Sequence, residues 1–338
     1  MSRIIIQGVG AVSPAGWSAA ELFRVLAVKQ PLPATLLERP GQTTWLPIRR
    51  VPITTLNYPW LRHPRLRRVS PITRFATAAA LEALGDDAKG VGEGTVRLGV
   101  VFCVLTGCVN YSNRFYQEVL KDPATASPLV FPETVFNAPA SHLAAVLGSP
   151  AINYTLVGDD TAFVQGLATA VGWLLDDRVD GCLVIGAEEC DWLTSDAMRL
   201  FNPHAILAEG AGAVYLQRAA SGVALEAITD PQSYVSGRSR DLAARRVREE
   251  LEAVGPATMC FNSSAAGHDE MRSGNDVWRE WPGATASLRV LTGDAFCAAS
   301  AWQVIAAWEA LRAGPEQRAF VTVAGCNQAA MGLSLIKV

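Results

Sequence analysis

The sequence has few charged residues and no long basic block. Asp, Glu, Lys and Arg make up 18% of the 338 residues and give a net charge of −3. The longest basic stretch is the short one at Arg62–Arg68, so the chain lacks the broad basic surface that nucleic acids require. Half of the residues are hydrophobic, which is too apolar for a disordered chain. We therefore expect a globular protein that does not bind nucleic acid.

Motifs for metals, cofactors and membranes are also missing. The seven cysteines contain no CxxC pair, and the spacing of His63, His204 and His268 does not suggest metal ligation. The chain opens with a strand and turn rather than a signal peptide, and no apolar run reaches the roughly 20 residues that cross a bilayer. These absences predict a soluble cytoplasmic protein with reduced thiols and without a metal or cofactor.

What the sequence contains is an alternation of short β-branched runs and Ala-rich helical patterns, typical of α/β folds. Strands are predicted at Arg3–Val9, Arg97–Leu105, Ile152–Val157, Cys182–Ala187, Ala211–Leu216, Val223–Thr229, Thr285–Leu291, Phe320–Ala324 and Leu333–Val338. Helices are predicted at Pro71–Leu84, Pro139–Leu147, Thr161–Leu175, Arg238–Val254 and Ala295–Arg312. The region Gln30–Arg68 has no clear period and is predicted to be irregular.

One plan occurs twice along the chain. Each copy is a strand, a Gly-Asp turn, a long helix and a second strand, and the two turns are Gly158-Asp159 and Gly293-Asp294. In the second copy the strand before the turn is predicted at Leu288–Leu291. The repetition indicates a duplicated architecture with two related halves, each burying a helix against a sheet.

Four ordered segments resemble the β-ketoacyl synthases, thiolase-fold enzymes that condense acyl units in fatty-acid and polyketide assembly. The segments are Ile4–Gly16, Phe131–Gly148, Gly181–Leu193 and Ala208–Gln217, and the resemblance spans nearly the whole chain. It implies a thiolase-like α/β fold of duplicated α-β-α-β-α layered halves, at residues 1–217 and 218–338. It also implies that the second segment crosses a dimer interface.

The catalytic positions of that family are not matched. The family uses a Cys on a strand-to-helix turn and two histidines from the second half. The resemblance puts Asp160 at the Cys, Ser263 at the first histidine and Asp294 at the second. Arg289 stands at the family's lysine, and the turn Gly325–Gln328 does not match the family's Gly-rich phenylalanine turn. Condensation needs a thiolate and imidazoles, so we expect no catalytic residues for it here and no enzyme activity from this chain by itself.

Asp160 and Asp294 have three possible roles. Each can cap a helix by accepting backbone N–H groups. They can instead converge as an acid/base pair in the old catalytic cavity, unless Arg289 neutralises them. The third possibility is a vestigial pocket that binds an acyl chain or shapes a neighbour's tunnel. Cys297, close to Asp294, is interpreted as a buried structural thiol rather than a displaced nucleophile.

The degenerate site resembles the chain length factors of type II polyketide and aryl polyene systems. The resemblance implies a heterodimer with an active ketosynthase, transient contact with an acyl carrier protein and no membrane insertion. It places Val109–Phe136 along the two-fold axis, where side chains of one protomer close the partner's acyl tunnel. The candidate tunnel residues are Phe115, Tyr116, Phe131 and Phe136.

Other interpretations of the chain stay open at this point. The four aromatic residues can simply fill this chain's own core. The chain can also be a self-sufficient acyl-thioester enzyme that uses Asp160 or Asp294 as its general base. A third possibility is a homodimeric module that binds an acyl carrier protein.

Overall fold

The computed structural model describes residues 3–54, 58–263, 275–279, 281–326 and 329–338. Its strands are β1 (Arg3–Val12), β2 (Thr35–Glu38), β3 (Trp45–Arg49), β4 (Leu98–Val104), β5 (Ile152–Val157), β6 (Gly181–Glu188), β7 (Leu207–Ala208), β8 (Gly210–Ala219), β9 (Val223–Ile228), β10 (Gln232–Ser233), β11 (Met259–Asn262), β12 (Ala284–Ala286), β13 (Arg318–Ala324) and β14 (Ala329–Lys337). Its helices are α1 (Ala19–Val28), α2 (Pro71–Leu84), α3 (Asp87–Gly92), α4 (Val109–Lys121), α5 (Ala138–Leu147), α6 (Asp160–Leu175), α7 (Trp192–Phe201), α8 (Gly237–Val254), α9 (Asn275–Arg279), α10 (Arg289–Thr292) and α11 (Phe296–Ala313). Short 3-10 turns lie at Pro59–Arg62, Pro64–Leu66, Pro123–Thr125 and Phe131–Glu133.

The main sheet has the same pairing pattern on both sides of its middle. Its strand order is β12-β11-β13-β14-β9-β1-β8-β6-β4-β5, with β10 beside β14. In one half β4 is parallel to β5 and β6, while β8 is antiparallel to β6 and β1. In the other half β11 is parallel to β12 and β13, while β14 is antiparallel to β13 and β9. This repetition is the duplicated architecture expected from the two Gly-Asp plans.

The predicted division between residues 217 and 218 falls inside β8, near the end of that strand. β1 and β9, on the two sides of that division, pair briefly through Ile5 opposite Ala224 and Ile6 opposite Val223. We propose that the halves divide at the turn between β8 and β9.

The helices form layers around the strands. α6 and α11 pack against each other in the middle, α6 against β4 and β6, and α11 against β6, β8 and β13. Phe163 and Trp302 are buried in this central core, and Trp302 Nε1 donates a hydrogen bond to Ala211 O at 3.0 Å. α2 covers β1, β8 and β6 from outside, while α8 covers β14. The predicted α-β-α-β-α fold class is therefore confirmed.

Two stretches differ from the sequence-based prediction. The predicted strand Thr285–Leu291 is the short β12 followed by the helical turn α10, in which Leu291 N and Thr292 N both donate to Leu288 O. A short apolar run does not distinguish a strand from a buried helical turn. Gln30–Arg68, predicted to be irregular, contains β2 and β3, which form a three-stranded sheet with β7. Buried apolar side chains alternate there within the Pro- and Thr-rich composition.

No disulfide joins the seven cysteines, all of which lie in the described residues, and six of them are buried. Among the helices that the structure describes, none is both long and apolar enough to span a bilayer.

Candidate functional site

The first Gly-Asp turn leads from β5 into α6. Gly158 N donates to Val104 O at 3.0 Å, at the end of the neighbouring strand β4. The cap of α6 is Asp159, whose Oδ1 accepts from the backbone N of Thr161 at 3.1 Å and from its hydroxyl at 2.9 Å. The capping role considered for Asp160 is therefore wrong. Asp159 already occupies the extended cap conformation, and Asp160 is the first helical residue.

The second Gly-Asp turn leads into α11. Gly293 has a φ of 93°, and a Cβ there would lie 2.9 Å from Ala208 Cβ, so only glycine fits. Asp294 Oδ1 accepts from Phe296 N at 3.2 Å, at the start of α11. Asp294 and Asp159 each accept from the backbone N–H two residues further on, but Asp159 is the cap residue of α6, whereas Asp294 lies one residue before Ala295, the cap residue of α11.

Arg289 lies between two carboxylates. Its Nη2 contacts Asp160 Oδ1, and its Nη1 donates to Asp294 Oδ2 at 3.0 Å. The side chains of Arg289, Asp160 and Asp294 are 4%, 3% and 11% exposed. Ser300 Oγ on α11 lies 3.5 Å from Asp160 Oδ1 as a further donor. We call Asp160, Arg289 and Asp294 the ion cluster. It brings together three of the four positions that the sequence singled out.

The ion cluster determines what this region can do chemically. Buried charges are tolerated where they are paired, and here one guanidinium serves both carboxylates. Asp160 Oδ1 and Asp294 Oδ2 both face the Arg289 guanidinium, so these oxygens already have a partner inside the protein. The cluster contains neither a thiol nor an imidazole. The geometry therefore favours a neutralised site over an acid/base pair.

Two cysteines lie close to the same turns. Cys297 Sγ donates to Asp159 O at 3.1 Å and to Gly158 O at 3.3 Å. Burial raises the pKa of the Cys297 thiol well above its usual value, which agrees with a structural thiol. Cys326 is exposed, yet partial desolvation and the carboxylates of Asp159 and Asp294 raise its pKa to about 11. Neither thiol has the lowered pKa of a nucleophilic cysteine.

Ser263 is tied to the neighbouring strand. It follows β11, its backbone N donates to Thr322 O at 3.1 Å, and its Oγ accepts from Ala324 N at 3.0 Å. Both partners lie on β13, so Ser263 joins the end of β11 to the end of β13. Asn327 and Gln328 of the unmatched turn lie outside the described residues, as does His268.

Three buried glutamates organise the loops around the site, and the sequence analysis missed them. Each accepts hydrogen bonds from backbone N–H groups: Leu105 and Thr106 donate to Glu188, Ile72 and Asn110 to Glu189, and Val51 and Cys190 to Glu209. Burial raises the pKa of all three, and that of Glu188 to about 8. The sequence does contain a signal for them, because Glu188 and Glu189 lie at the end of one apolar strand and Glu209 lies directly before another.

Large apolar side chains are exposed on α4, on the segment after it and on β5. We call them the apolar set: Tyr116, Leu120, Leu129, Phe131, Val135, Phe136, Tyr154 and Val157. Tyr116, Phe131 and Phe136 are 58%, 56% and 43% exposed, so they do not fill this chain's own core. Phe115 is half-buried, with its ring centroid 5.5 Å from that of Phe131. β5 pairs with β4 and, in the described part of the chain, has no strand on its other side.

No protein-family model and no curated protein sequence matches the chain. Several solved structures match it. The ishigamide ketosynthase/chain length factor is 20% identical with a TM-score of 0.79, over 99% of each chain. A ketosynthase in complex with its chain length factor from Xenorhabdus doucetiae is 13% identical with a TM-score of 0.78, over 100% of this chain and 98% of that one.

A third solved structure contains a carrier protein. It is a type II polyketide synthase acyl-carrier protein in complex with its ketosynthase bound to the hexaketide, 16% identical over 100% of both chains with a TM-score of 0.81. What these three structures share with this chain is the fold. The thiolase-like fold expected from the four ordered segments is therefore the fold of the chain.

Proposed function

We propose that this chain is a non-catalytic ketosynthase-like subunit, of the chain length factor kind, that pairs with an active ketosynthase and shapes the acyl tunnel of that partner. The ion cluster carries the proposal. At the turn where the resembling family places its nucleophilic Cys, Asp160 is buried and paired with Arg289. A carboxylate paired with a guanidinium at this position does not provide the thiol that would accept an acyl group. The partner would therefore supply the chemistry, and an acyl carrier protein would deliver the substrate transiently.

The exposed apolar set supports the pairing. Isolated soluble proteins rarely leave so many large apolar side chains in water, and an open strand edge invites another strand. A partner of the same fold could cover both features by lying along β5 and α4. The fold neighbours that contain a ketosynthase with a chain length factor agree with such a pair. The products we propose are polyketide, aryl polyene or fatty-acid-type chains.

The proposal is tested by following the acyl group. The chain is purified alone and together with a candidate ketosynthase from the same organism, and both samples receive acyl and malonyl donors on carrier proteins. Intact-mass analysis should find the adduct on the ketosynthase and none on this chain, and the two proteins should elute as a stable heterodimer.

The Asp160→Cys variant is the matched control for whether acyl donors can reach this turn. An adduct on this variant alone would show that donors reach the turn and that the missing thiol is the reason for the inactivity. Acylation of the unmodified chain, or an active homodimer without any partner, would refute the proposal and favour the self-sufficient enzyme.

A further inference from the structure

An open cavity of about 340 Å³ lies between the end of α1 and α10. Its wall is built from the end of α1, the ends of β11 and β12, and α10, the turn on which Arg289 sits. The volume falls at the small end of the range for ligand pockets, roughly 300–1,000 Å³. The cavity is distinct from the apolar set, because no residue of that set lines it.

The wall of the cavity is positive. Lys29 at the end of α1 is its only charged residue, and none of the lining residues, all in the described part of the chain, is acidic. A second cation lies directly behind the wall, where Arg49 Nη1 donates to Val290 O at 3.2 Å. The arrangement attracts an anion, because nothing in the wall offsets the ammonium group.

The wall contains both hydrogen-bonding and apolar groups. Asn262, Thr285 and Ser287 provide an amide and two hydroxyls. The Oγ of Ser287 is buried without a hydrogen-bond partner among the described residues, which is costly unless another group supplies the bond. Leu26 and Leu291 provide apolar surface.

We propose that this cavity binds a small monocarboxylate with a short alkyl chain. The carboxylate would lie against Lys29 and accept a hydrogen bond from Ser287, while the alkyl chain would contact Leu26, Val290 and Leu291. A phosphate fits less well, since phosphate sites in proteins usually combine several cationic donors and this wall has one. The inference does not depend on pairing with a ketosynthase, because this chain alone forms the cavity.

The test is a calorimetric titration of the full chain with acetate, butyrate and hexanoate. Each added methylene should tighten binding about fourfold until the cavity is full. Lys29→Met should weaken hexanoate binding at least tenfold, whereas Lys29→Arg should largely retain it. Lys89→Met, at another exposed lysine, is the matched control and should leave binding unchanged.

The charge of the ligand and the position of the site are checked separately. Hexylamine should not bind, and Ser287→Ala should weaken hexanoate binding without changing the melting temperature by more than a few degrees. Equal binding of hexanoate and hexylamine would overturn the anion preference. Hexanoate affinity that Lys29→Met leaves unchanged, or no saturable binding at all, would overturn the site.

Discussion

The ion pairs of Arg289 are expected to contribute little net stability, whereas removing Arg289 is expected to destabilise the chain strongly. Pairing buried ions roughly offsets the cost of removing them from water. Deleting the shared cation is different, because Asp160 and Asp294 would both be left buried without it. A large loss of stability on removing Arg289 is therefore the result expected of a structural ion cluster.

We expect Arg289→Met to lower the free energy of unfolding by about 3–5 kcal/mol, the cost of an unpaired buried charge. Arg312→Met is the control, since Arg312 pairs with Glu309 at 55% exposure and such surface pairs contribute about 1 kcal/mol or less. Urea unfolding measures both. Adding Asp160→Asn and Asp294→Asn to Arg289→Met should restore part of the loss. A cost below about 1 kcal/mol for Arg289→Met would contradict the cluster as described.

Glu188 gives the stability a pH dependence of known sign. Burial raises its pKa in the folded chain to about 8, whereas an unfolded Glu titrates near about 4.3. Between these values the folded chain holds a proton that the unfolded chain has released. The stabilisation from this group is therefore complete below about pH 4 and falls as the pH rises towards 8.

The Glu188→Gln variant tests that dependence. Relative to it, the unmodified chain should lose up to about 1.4 kcal/mol of unfolding free energy per pH unit between pH 5 and 8. Denaturant titrations at four pH values compare the two slopes. Glu118→Gln is the control, because the hydrogen bond from Ser127 N lowers the pKa of the half-buried Glu118 carboxyl, and its variant should not show the same trend. Parallel slopes for Glu188→Gln and the unmodified chain would contradict the raised pKa.

Among the secondary-structure elements, β5 combines an open backbone edge with exposed apolar side chains. Val157 is 56% exposed, so changing it should affect association rather than folding. We expect Val157→Lys to weaken the proposed heterodimer at least tenfold, because a charged edge strand resists pairing. The melting temperature of the isolated chain should stay nearly unchanged.

Leu242→Lys provides the matched comparison. Leu242 is 51% exposed but lies on α8, far along the chain from the apolar set. Analytical ultracentrifugation of each variant with the ketosynthase distinguishes the two positions. Equal binding by both variants would mean that β5 is not at the interface.

The elements most visible in the sequence were those with a long and regular period. Pro71–Leu84 is α2 without any shift, and Ile152–Val157 is β5. α10 was hidden because Arg289–Thr292 is too short to show a helical period, and its apolar residues mimic a strand. The Gly-Asp turns were visible in the sequence. It did not show whether α6 begins after Asp159 or after Asp160, and this decides which of the two caps the helix. The sequence therefore located the ion cluster, while its pairing needed three-dimensional geometry.

For the molecule as a whole, the two halves share one strand pattern but differ at their turns. The second half inserts α10 between β12 and Gly293, and this insertion brings Arg289 to the first half's Asp160. The turns of the two halves therefore meet in an ion cluster that neither half contains by itself. The apolar set, which lies outside this cluster, is the surface that the proposed pairing uses.

The role of that surface is tested by the length of the partner's products. Tyr116 and Phe136 are exposed, so Tyr116→Ala and Phe136→Ala should cost less than about 1 kcal/mol of stability. If these rings close the partner's tunnel, each variant should lengthen the products by one or more two-carbon units before it changes the rate. Phe115→Ala should also lower the melting temperature, because its ring packs on Phe131.

Leu200→Ala, at an 83% exposed position outside the set, should change neither length nor stability. Mass spectrometry of products from the reconstituted heterodimer decides the matter. Unchanged lengths in an intact complex would leave this chain as a scaffold for its partner without control of chain length.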